Sequence, residues 1–328
     1  MFRSLAIAFS LLAPLPALAL CNGDRFETYL SAEEQAEIDS AVDATLYGEG
    51  LFWDARKDGT TLTIVGTMHL PDPRHETLLN RLRPSLDAAD LLLVEATLQD
   101  QTDMQTFMAN NPDMMVIGDG PSLPEVLEED TWAAISQAAS DRGVPGFMAA
   151  KMQPWFLLLT LSIPACAAAD MMSGEGGLDA MLMRSADYAG IETQALEPWQ
   201  DMFDLLSAGT FDEQVDALRM GLLPSDISDA LMTSLTEDYF DGQTARAWEM
   251  SFYTYQFLPD MDRSVFDEQL AIVEDILLKE RNVNWIPVIE EAAAQHDKII
   301  VAFGAAHLIG EQGVLNLLSQ SGWSVSPL

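Results

Sequence analysis

Apolar runs rich in β-branched residues recur along the chain, and two of them end in the same short motif. Residues 62–65 run into Gly66-Thr67-Met68-His69, and residues 299–303 run into Gly304-Ala305-Ala306-His307. Short apolar runs of this kind are typical of buried strands, and glycine lets the backbone turn tightly. The pattern therefore predicts two strands that each end in a turn carrying a histidine, at the edge where open α/β sheets bind ligands.

A strand, helix and strand pattern surrounds the first motif. After His69, residues 75–89 have a helical pattern, and residues 91–94 form another apolar run that ends at Glu95. This order predicts a parallel crossover. Because parallel strands end together, we expect His69 and Glu95 to leave the sheet at the same edge.

The remaining pattern is mainly helical. It predicts a helix over 31–46 with a Ser31/Glu34 capping box, a hairpin of 51–56 with 61–65, helices between 100 and 254, a strand at 192–196 before Glu197, helices over 266–279, 282–294 and 312–320, and an edge strand at 323–325. We expect an α/β fold, with α+β as the alternative. Its central sheet is mixed and largely parallel, with helices around it and a long, mainly helical middle segment.

The first nineteen residues form a separate unit. Arg3 is their only charge, residues 5–18 are almost wholly apolar, and small residues end the segment at Ala19. This run is shorter than the ~20 residues that span a bilayer. We expect a signal peptide over 1–19, export to the periplasm or extracellular space, and a single domain over 20–328 with a helical insertion at about 100–290. No later membrane span is expected, because Pro164 interrupts the apolar stretch 157–169.

Composition and charge narrow the class of partner. The chain has 328 residues, of which 48% are apolar and 21% charged, as in globular proteins. Its 52 acidic and 16 basic side chains give a formal net charge of −36, which disfavours binding to phosphate backbones. We therefore expect no nucleic acid partner.

The two cysteines are Cys21 and Cys166, and both remain after cleavage at Ala19. In an oxidising compartment we expect them to form a disulfide that closes a very long loop. Two alternatives remain open. One is acylation of Cys21, which Leu20 disfavours because lipoprotein signals carry a small residue there, and the other is a pair of free thiols.

Histidine is scarce, with only four in the chain. A lone buried histidine is more often a hydrogen-bonded core residue than a ligand, but His69 and His307 occupy equivalent places after strands. His75 and His296 lie among charged residues, and we expect both to be exposed and outside the site.

The strand-end residues allow two kinds of chemistry. The imidazoles of His69 and His307, with the carboxylates of Glu95 and Glu197, are suitable ligands for a divalent transition metal that activates water. The alternative is metal-free acid–base catalysis by a histidine and a glutamate. Each glutamate also has a structural interpretation, for example as the cap of a following helix. A serine hydrolase is disfavoured because no Gly-x-Ser-x-Gly motif occurs.

Four other residues are candidates for the site. Lys151 is either a surface lysine or the partner of an anion in the site, and Asp179 either binds substrate or stabilises the first turn of its helix. Arg281, beside Asn282, either holds a site carboxylate or substrate carbonyl through its fork or forms a surface i, i+4 pair. With Glu197, Lys151 and Asp179 are the expected substrate-binding residues.

These motifs resemble the TraB/GumN family, which is related to the Tiki proteins. The matching segments are 65–71, 93–95, 151–155, 177–179, 281–282 and 303–308, followed by Gly310 and Gly313. The resemblance covers the chain from Leu51 to its end. Erythromycin esterase-like and haem-binding relatives share the architecture more distantly, so the fold alone does not define the reaction.

Tiki proteins are described as extracellular, metal-dependent peptidases that use manganese or cobalt. The resemblance therefore implies that His69, Glu95 and His307 form the metal or catalytic set, with Arg281 and Asn282 as site neighbours. We expect an exported, peptidase-like hydrolase that uses Mn, Co or Zn and acts on a small peptide or related small molecule, with Arg281 stabilising the oxyanion. The alternatives are a binding protein that sequesters a peptide, haem or metal, and a metal-free esterase.

Overall fold

A single sheet of six strands organises the chain in the computed structural model, which describes residues 21, 23–172, 174–220, 222–258 and 261–328. The predicted signal peptide over 1–19 lies outside the described residues. The strands are β1 (Phe52–Lys57), β2 (Thr60–Thr67), β3 (Leu91–Val94), β4 (Glu192–Ala195), β5 (Lys298–Gly304) and β6 (Ser324–Pro327). Their order is β4-β3-β5-β2-β1-β6.

The sheet is mixed and largely parallel, as the sequence predicted. Strands β4, β3, β5 and β2 are parallel neighbours, whereas β1 is antiparallel to both β2 and β6. The predicted crossover from β2 to β3 is parallel, and β5 lies between these two strands. The carboxyl ends of β2, β5, β3 and β4 therefore follow one another along one edge.

Helices surround the sheet and account for most of the middle of the chain, which confirms the predicted α/β class. They are α1 (Ala32–Ala44), α2 (His75–Leu86), α3 (Leu98–Asn110), α4 (Leu123–Val126), α5 (Glu129–Asp141), α6 (Gly146–Ala149), α7 (Pro154–Ser162), α8 (Ala165–Met171), α9 (Leu178–Ala189), α10 (Trp199–Leu206), α11 (Phe211–Met220), α12 (Ser225–Phe240), α13 (Thr244–Ser251), α14 (Arg263–Glu274), α15 (Glu280–Ala293) and α16 (Val314–Gln320). A π-helical turn, Asp275–Lys279, joins α14 to α15.

Local sequence signals explain where several elements begin and turn. Ser31 caps α1 and forms the predicted capping box with Glu34. The hairpin pairs Phe52 with Val65 and turns at Asp58 and Gly59, whose φ angles are 51° and 100°. Aspartate and glycine are the residues that such left-handed hairpin turns favour.

The main core lies on both faces of the central strands. All four residues of β3 are at most 1% exposed, and residues 299–303 of β5 are at most 2% exposed. Leucines of α2, α9 and α16 and Trp285 of α15 pack against these strands in one cluster. Continuous apolar runs are required here because both faces of the strands are covered.

The expectation that His75 is exposed was wrong. Its side chain is completely buried, and its ring contacts Tyr239 and Phe240 at centroid distances of 5.9 and 5.0 Å. The charged neighbours of His75 in the sequence obscured its position on the apolar face of α2, one turn before Leu79. His296 is half-buried after the end of α15 and lies outside the site.

Cys21 and Cys166 form the expected disulfide, which spans a sequence separation of 145 residues. Cys21 packs in a small apolar cluster with Leu70, and Met68 lies against the same cluster. Both of these residues flank His69. No single helix among the described residues is long and apolar enough to cross a membrane, although α7 and α8 pass that test as a pair bent by 100°.

Candidate functional site

The carboxyl ends of the parallel strands open into a cavity of about 260 Å³. Its lining residues come from these strand ends and from α3, α9, α10 and α15: Thr67, His69, Val94, Glu95, Ala96, Gln101, Met104, Asp179, Met183, Glu197, Trp199, Met202, Arg281, Ala302 and Phe303. Five of the residues predicted for the site face this cavity.

The two histidine turns, residues 66–69 after β2 and residues 304–307 after β5, pack directly against each other. A Cβ atom on Gly66 would lie 2.6 Å from Leu308 Cδ1 and 3.2 Å from Ala305 Cα. Glycine is therefore required in the first motif because the second motif lies against its backbone. This contact brings the two motifs into one region, as their equivalent positions after β2 and β5 predicted.

Arg281 is the centre of the polar groups. Its Nε and Nη2 atoms donate to Glu197, Nη2 also donates to Glu95 Oε2 at 2.5 Å, and Nη1 donates to the carbonyl of Leu277 at 3.0 Å. The remaining Nη1 donor lies 3.2 Å from Nε2 of His307. An arginine has five N–H groups, and all five have acceptors here.

The π-helical turn before α15 supplies one of these acceptors. Leu277 lies in that turn, and its carbonyl binds the Arg281 side chain four residues later. A π turn changes which residues of a helix face inwards, and such turns are frequent at functional sites. On the next turn of α15, Trp285 donates from Nε1 to Glu197 at 3.0 Å, and its ring lies under the guanidinium at 4.8 Å.

Glu95 is held as an anion. Its Oε1 accepts the backbone N–H of Gly304 at 2.7 Å, while Oε2 binds Arg281. Burial acts to raise the pKa of Glu95, but the surrounding basic side chains and the Gly304 N–H lower it to about 2. Burial acts to lower the pKa of Arg281, but its interactions with Glu197 and Glu95 raise it, so Arg281 and Glu95 both stay charged.

His307 is buried behind Arg281, with 4% of its surface exposed. Its Nδ1 lies 2.6 Å from Oδ1 of Asn282, and Nδ2 of Asn282 donates to the carbonyl of Gln312 at 2.8 Å. Oδ1 is thus an acceptor, which assigns the proton of His307 to Nδ1 and a lone pair to Nε2. Burial lowers the pKa of His307 to about 4, which keeps the ring neutral.

His69 lies on the cavity wall in a different environment. Its Nδ1 is 3.2 Å from Oδ2 of Asp179, and 58% of its side chain is exposed. The hydrogen bond with Asp179 raises the pKa of His69 to about 9. The imidazole is therefore a cation at neutral pH, in contrast to that of His307.

Close packing of α9 places Asp179 beside His69. Leu178 donates its backbone N–H to the carbonyl of Met68 at 3.2 Å. A Cβ atom on the preceding residue, Gly177, would lie 1.8 Å from that carbonyl oxygen, so only glycine fits between α9 and the first histidine turn.

Most of the predicted residues thus lie together. His69, Glu95, Asp179, Glu197 and Arg281 line the cavity, and Asn282 and His307 support them from behind. Lys151 is exposed and does not line the cavity. Sequence reasoning missed Trp285, although its position four residues after Arg281 on one helix face was a usable signal. It also missed the methionines and Trp199, which no motif marks.

These side chains do not form a metal site in this arrangement. Glu95, Glu197 and His307 have donor atoms of the appropriate type, but each already accepts a hydrogen bond from Arg281. In the part of the chain that the structure describes, no three His, Cys, Asp or Glu side chains are placed to hold one ion. The guanidinium of Arg281 supplies positive charge between Glu95 and Glu197.

Comparison with known proteins identifies the family. No curated protein and no solved structure gives a significant match. The family model of the TraB/PrgY/gumN family matches residues 51–327, which is most of the chain and confirms the resemblance carried by the two histidine motifs. The chain belongs to the TraB/PrgY/gumN family.

Proposed function

We propose that this protein is an exported hydrolase that cleaves an amide or related acyl bond of a small peptide-like substrate in the cavity. The proposal is carried by one observation: an anionic carboxylate, Glu95, and a cationic imidazole, His69, line the same cavity, held by Arg281 and Asp179 respectively. A base and an acid facing one cavity suit hydrolysis of an acyl bond. Export is supported by the apolar segment 1–19 and by the disulfide.

In the proposed reaction, Glu95 accepts a proton from water while the water oxygen attacks the substrate carbonyl. Each oxygen of Glu95 already accepts one protein N–H, and each retains a lone pair for water. His69 donates its Nε2 proton to the leaving group as the acyl bond breaks. Transfer of the proton from Glu95 to His69 then restores both groups.

Arg281 and His307 position the base. Arg281 fixes Glu95 through Nη2, and His307 accepts from Nη1 on the far side of the guanidinium. The oxyanion role expected for Arg281 requires it to exchange one of its five acceptors for the substrate, because none of its N–H groups is otherwise available. No step is assigned to a divalent metal, since the side chains do not form a ligand set.

The experiment is an assay of the exported chain against a peptide library, with excess chelator and separately with Mn²⁺, Co²⁺ or Zn²⁺. Glu95→Gln and His69→Gln are expected to lower turnover by about 10²–10⁴-fold, as removal of an acid or base does. The matched controls are Glu291→Gln, at an exposed position of α15, and His296→Gln.

Turnover that persists in chelator supports the acid–base mechanism. Turnover that requires an added metal supports the metal expected from the family resemblance and contradicts acid–base catalysis by Glu95 and His69 alone. Equal turnover of Glu95→Gln and the unmodified chain, or no turnover under any condition, would overturn the proposed function.

A further inference from the structure

The cavity has a polar side, where the acid and base lie, and an apolar side. The larger residues of the apolar side come from three helices and one strand: Met104 of α3, Met183 of α9, Trp199 and Met202 of α10, and Phe303 of β5. A hydrolase that acted only on the polar backbone of its substrate would have no use for this surface.

One end of the apolar side is held rigidly. The ring of Trp199 packs edge-on against Phe107 at 5.4 Å, and Phe107 packs against Phe203 at 5.6 Å. Phe203 in turn contacts Trp155 at 5.3 Å, whose Nε1 donates to the carbonyl of Met114 at 3.0 Å. These ring contacts join α10 to α3 and α7, and they hold the Trp199 side chain in one position at the side of the cavity.

Three of the other apolar residues, Met104, Met183 and Met202, are methionines from three different helices. Thioether side chains are unbranched and polarisable, so they adapt to apolar groups of different shapes. A cavity of about 260 Å³ has room for one large side chain and the backbone next to it. The combination favours a large apolar group without requiring a particular one.

The polar side disfavours acidic groups. Its three carboxylates, Glu95, Asp179 and Glu197, outnumber its two cations, His69 and Arg281, and Arg281 has no N–H left for a substrate anion. Thr67 is 2% exposed and lines the cavity, and its hydroxyl has no hydrogen-bond partner among the described residues. This hydroxyl is suited to a neutral amide of the substrate backbone.

We propose that the cavity selects peptide substrates by one large, uncharged apolar side chain next to the scissile bond. The side chain lies against Met104, Met183, Met202 and Trp199, and an acidic residue at the same position is rejected. The position of this side chain next to a scissile bond rests on the proposed hydrolysis. The preference in binding does not depend on turnover.

The test uses pentapeptides blocked at both ends, with alanine at the outer positions and Phe, Met, Ala or Glu in the centre. Affinities are measured by calorimetry with the full chain and with its Glu95→Gln variant, and cleaved products are identified by mass. The Phe and Met peptides are expected to bind about tenfold or more tightly than the Ala peptide, as apolar pockets commonly discriminate. The Glu peptide is expected to bind more weakly than the Ala peptide.

Two variants place a charge on the apolar side. Met202→Glu and Met104→Glu, both at half-buried positions, are expected to reduce affinity for the Phe peptide to that for the Ala peptide. Met148→Glu, at a residue 53% exposed and outside the cavity, is the matched control. Thermal unfolding of all three variants identifies any that fail to fold.

The inference is overturned if the Phe and Ala peptides bind with equal affinity. It is also overturned if both cavity variants fold and bind the Phe peptide as tightly as the unmodified chain. An apolar preference in binding without turnover of any peptide contradicts the proposed hydrolysis and leaves the inference standing. Turnover of the peptides without an apolar preference in binding supports the proposed hydrolysis and contradicts the inference.

Discussion

Asn282 Oδ1 lies 2.6 Å from His307 Nδ1, and this contact determines which ring nitrogen faces Arg281. The second amide atom of Asn282 is fixed by the carbonyl of Gln312, so the amide cannot reverse without losing a hydrogen bond. A neutral imidazole with its lone pair towards the guanidinium is the result. The backbone of the 310–313 turn thereby contributes to the polarity of the site.

We predict that Asn282→Asp raises the pKa of His307 from its value of about 4, because a carboxylate stabilises the imidazolium. NMR titration of the ring protons measures this directly, and only four histidines contribute signals. Asn80→Asp, at an exposed position of α2, is the control. A His307 resonance that titrates at an unchanged pH contradicts the assigned hydrogen bond.

Arg281→Gln is predicted to destabilise the fold by about 3–5 kcal/mol at neutral pH, because it leaves the Glu95 and Glu197 carboxylates without their cation. Urea unfolding measures the loss. The control Arg83→Gln removes an arginine whose side chain is 59% exposed and is expected to change stability by no more than about 0.5 kcal/mol. Similar stabilities for the two variants would show that the cluster around Arg281 is not structurally important.

Gly177→Ala is predicted to destabilise the protein by about 1–3 kcal/mol through overpacking and to separate Asp179 from His69. The methyl group meets the carbonyl oxygen of Met68, a backbone atom that cannot move alone. We expect the pKa of His69 to fall from about 9, since its hydrogen bond with Asp179 is the main cause of the elevation. Unfolding and His69 titration are the measurements.

Gly118→Ala is the matched control for this substitution. The nearest atom to its Cβ would be a side-chain oxygen of Asp113 at 3.4 Å, an ordinary contact. If Gly177→Ala retains both the stability and the His69 pKa of the unmodified chain, the close contact between α9 and the histidine turn does not exist in solution.

Stability is predicted to fall as the pH drops from about 6.5 to about 4, in part because of His75. Burial lowers the pKa of His75 to about 4, so the unfolded chain takes up a proton at a higher pH than the folded chain does. The contribution of neutral His75 to the free energy of unfolding is complete above pH 6.5. It decreases below that pH, by up to about 3 kcal/mol.

The difference between the unmodified chain and His75→Leu, measured by urea unfolding across this pH range, isolates that contribution from those of the carboxylates. Leucine fills the space between α2 and Phe240 without a titrating group. A variant that loses as much stability between pH 6.5 and 4 as the unmodified chain would rule out His75 as a source.

Much of the sheet was predictable because its signals are local. The apolar runs, the glycine turns and the Ser31/Glu34 capping box each act within a few residues, and they located the strands and both histidines. Parallel strand ends then placed His69 and Glu95 at one edge. The insertion of β5 between β2 and β3 was not predictable locally, because it depends on pairing between residues more than 200 positions apart.

The details of the site depend on tertiary contacts. Nothing near Arg281 in the sequence indicates that its five donors are satisfied from β3, β4, the π turn and the second histidine turn. The different protonation of His69 and His307 has the same origin, because the motifs are alike and only their distant partners, Asp179 and Asn282, differ.

The Cys21–Cys166 disulfide keeps the protein in one piece after a proteolytic break between these two cysteines. The cavity is built from two stretches of chain, one carrying His69 and Glu95 and the other carrying Asp179, Glu197 and Arg281. The first stretch continues through α3, which also lines the cavity, and residues 111–162 connect the two stretches within the loop closed by Cys21 and Cys166. A single proteolytic break there leaves two fragments that remain covalently joined, so both halves of the cavity stay in one molecule at any dilution.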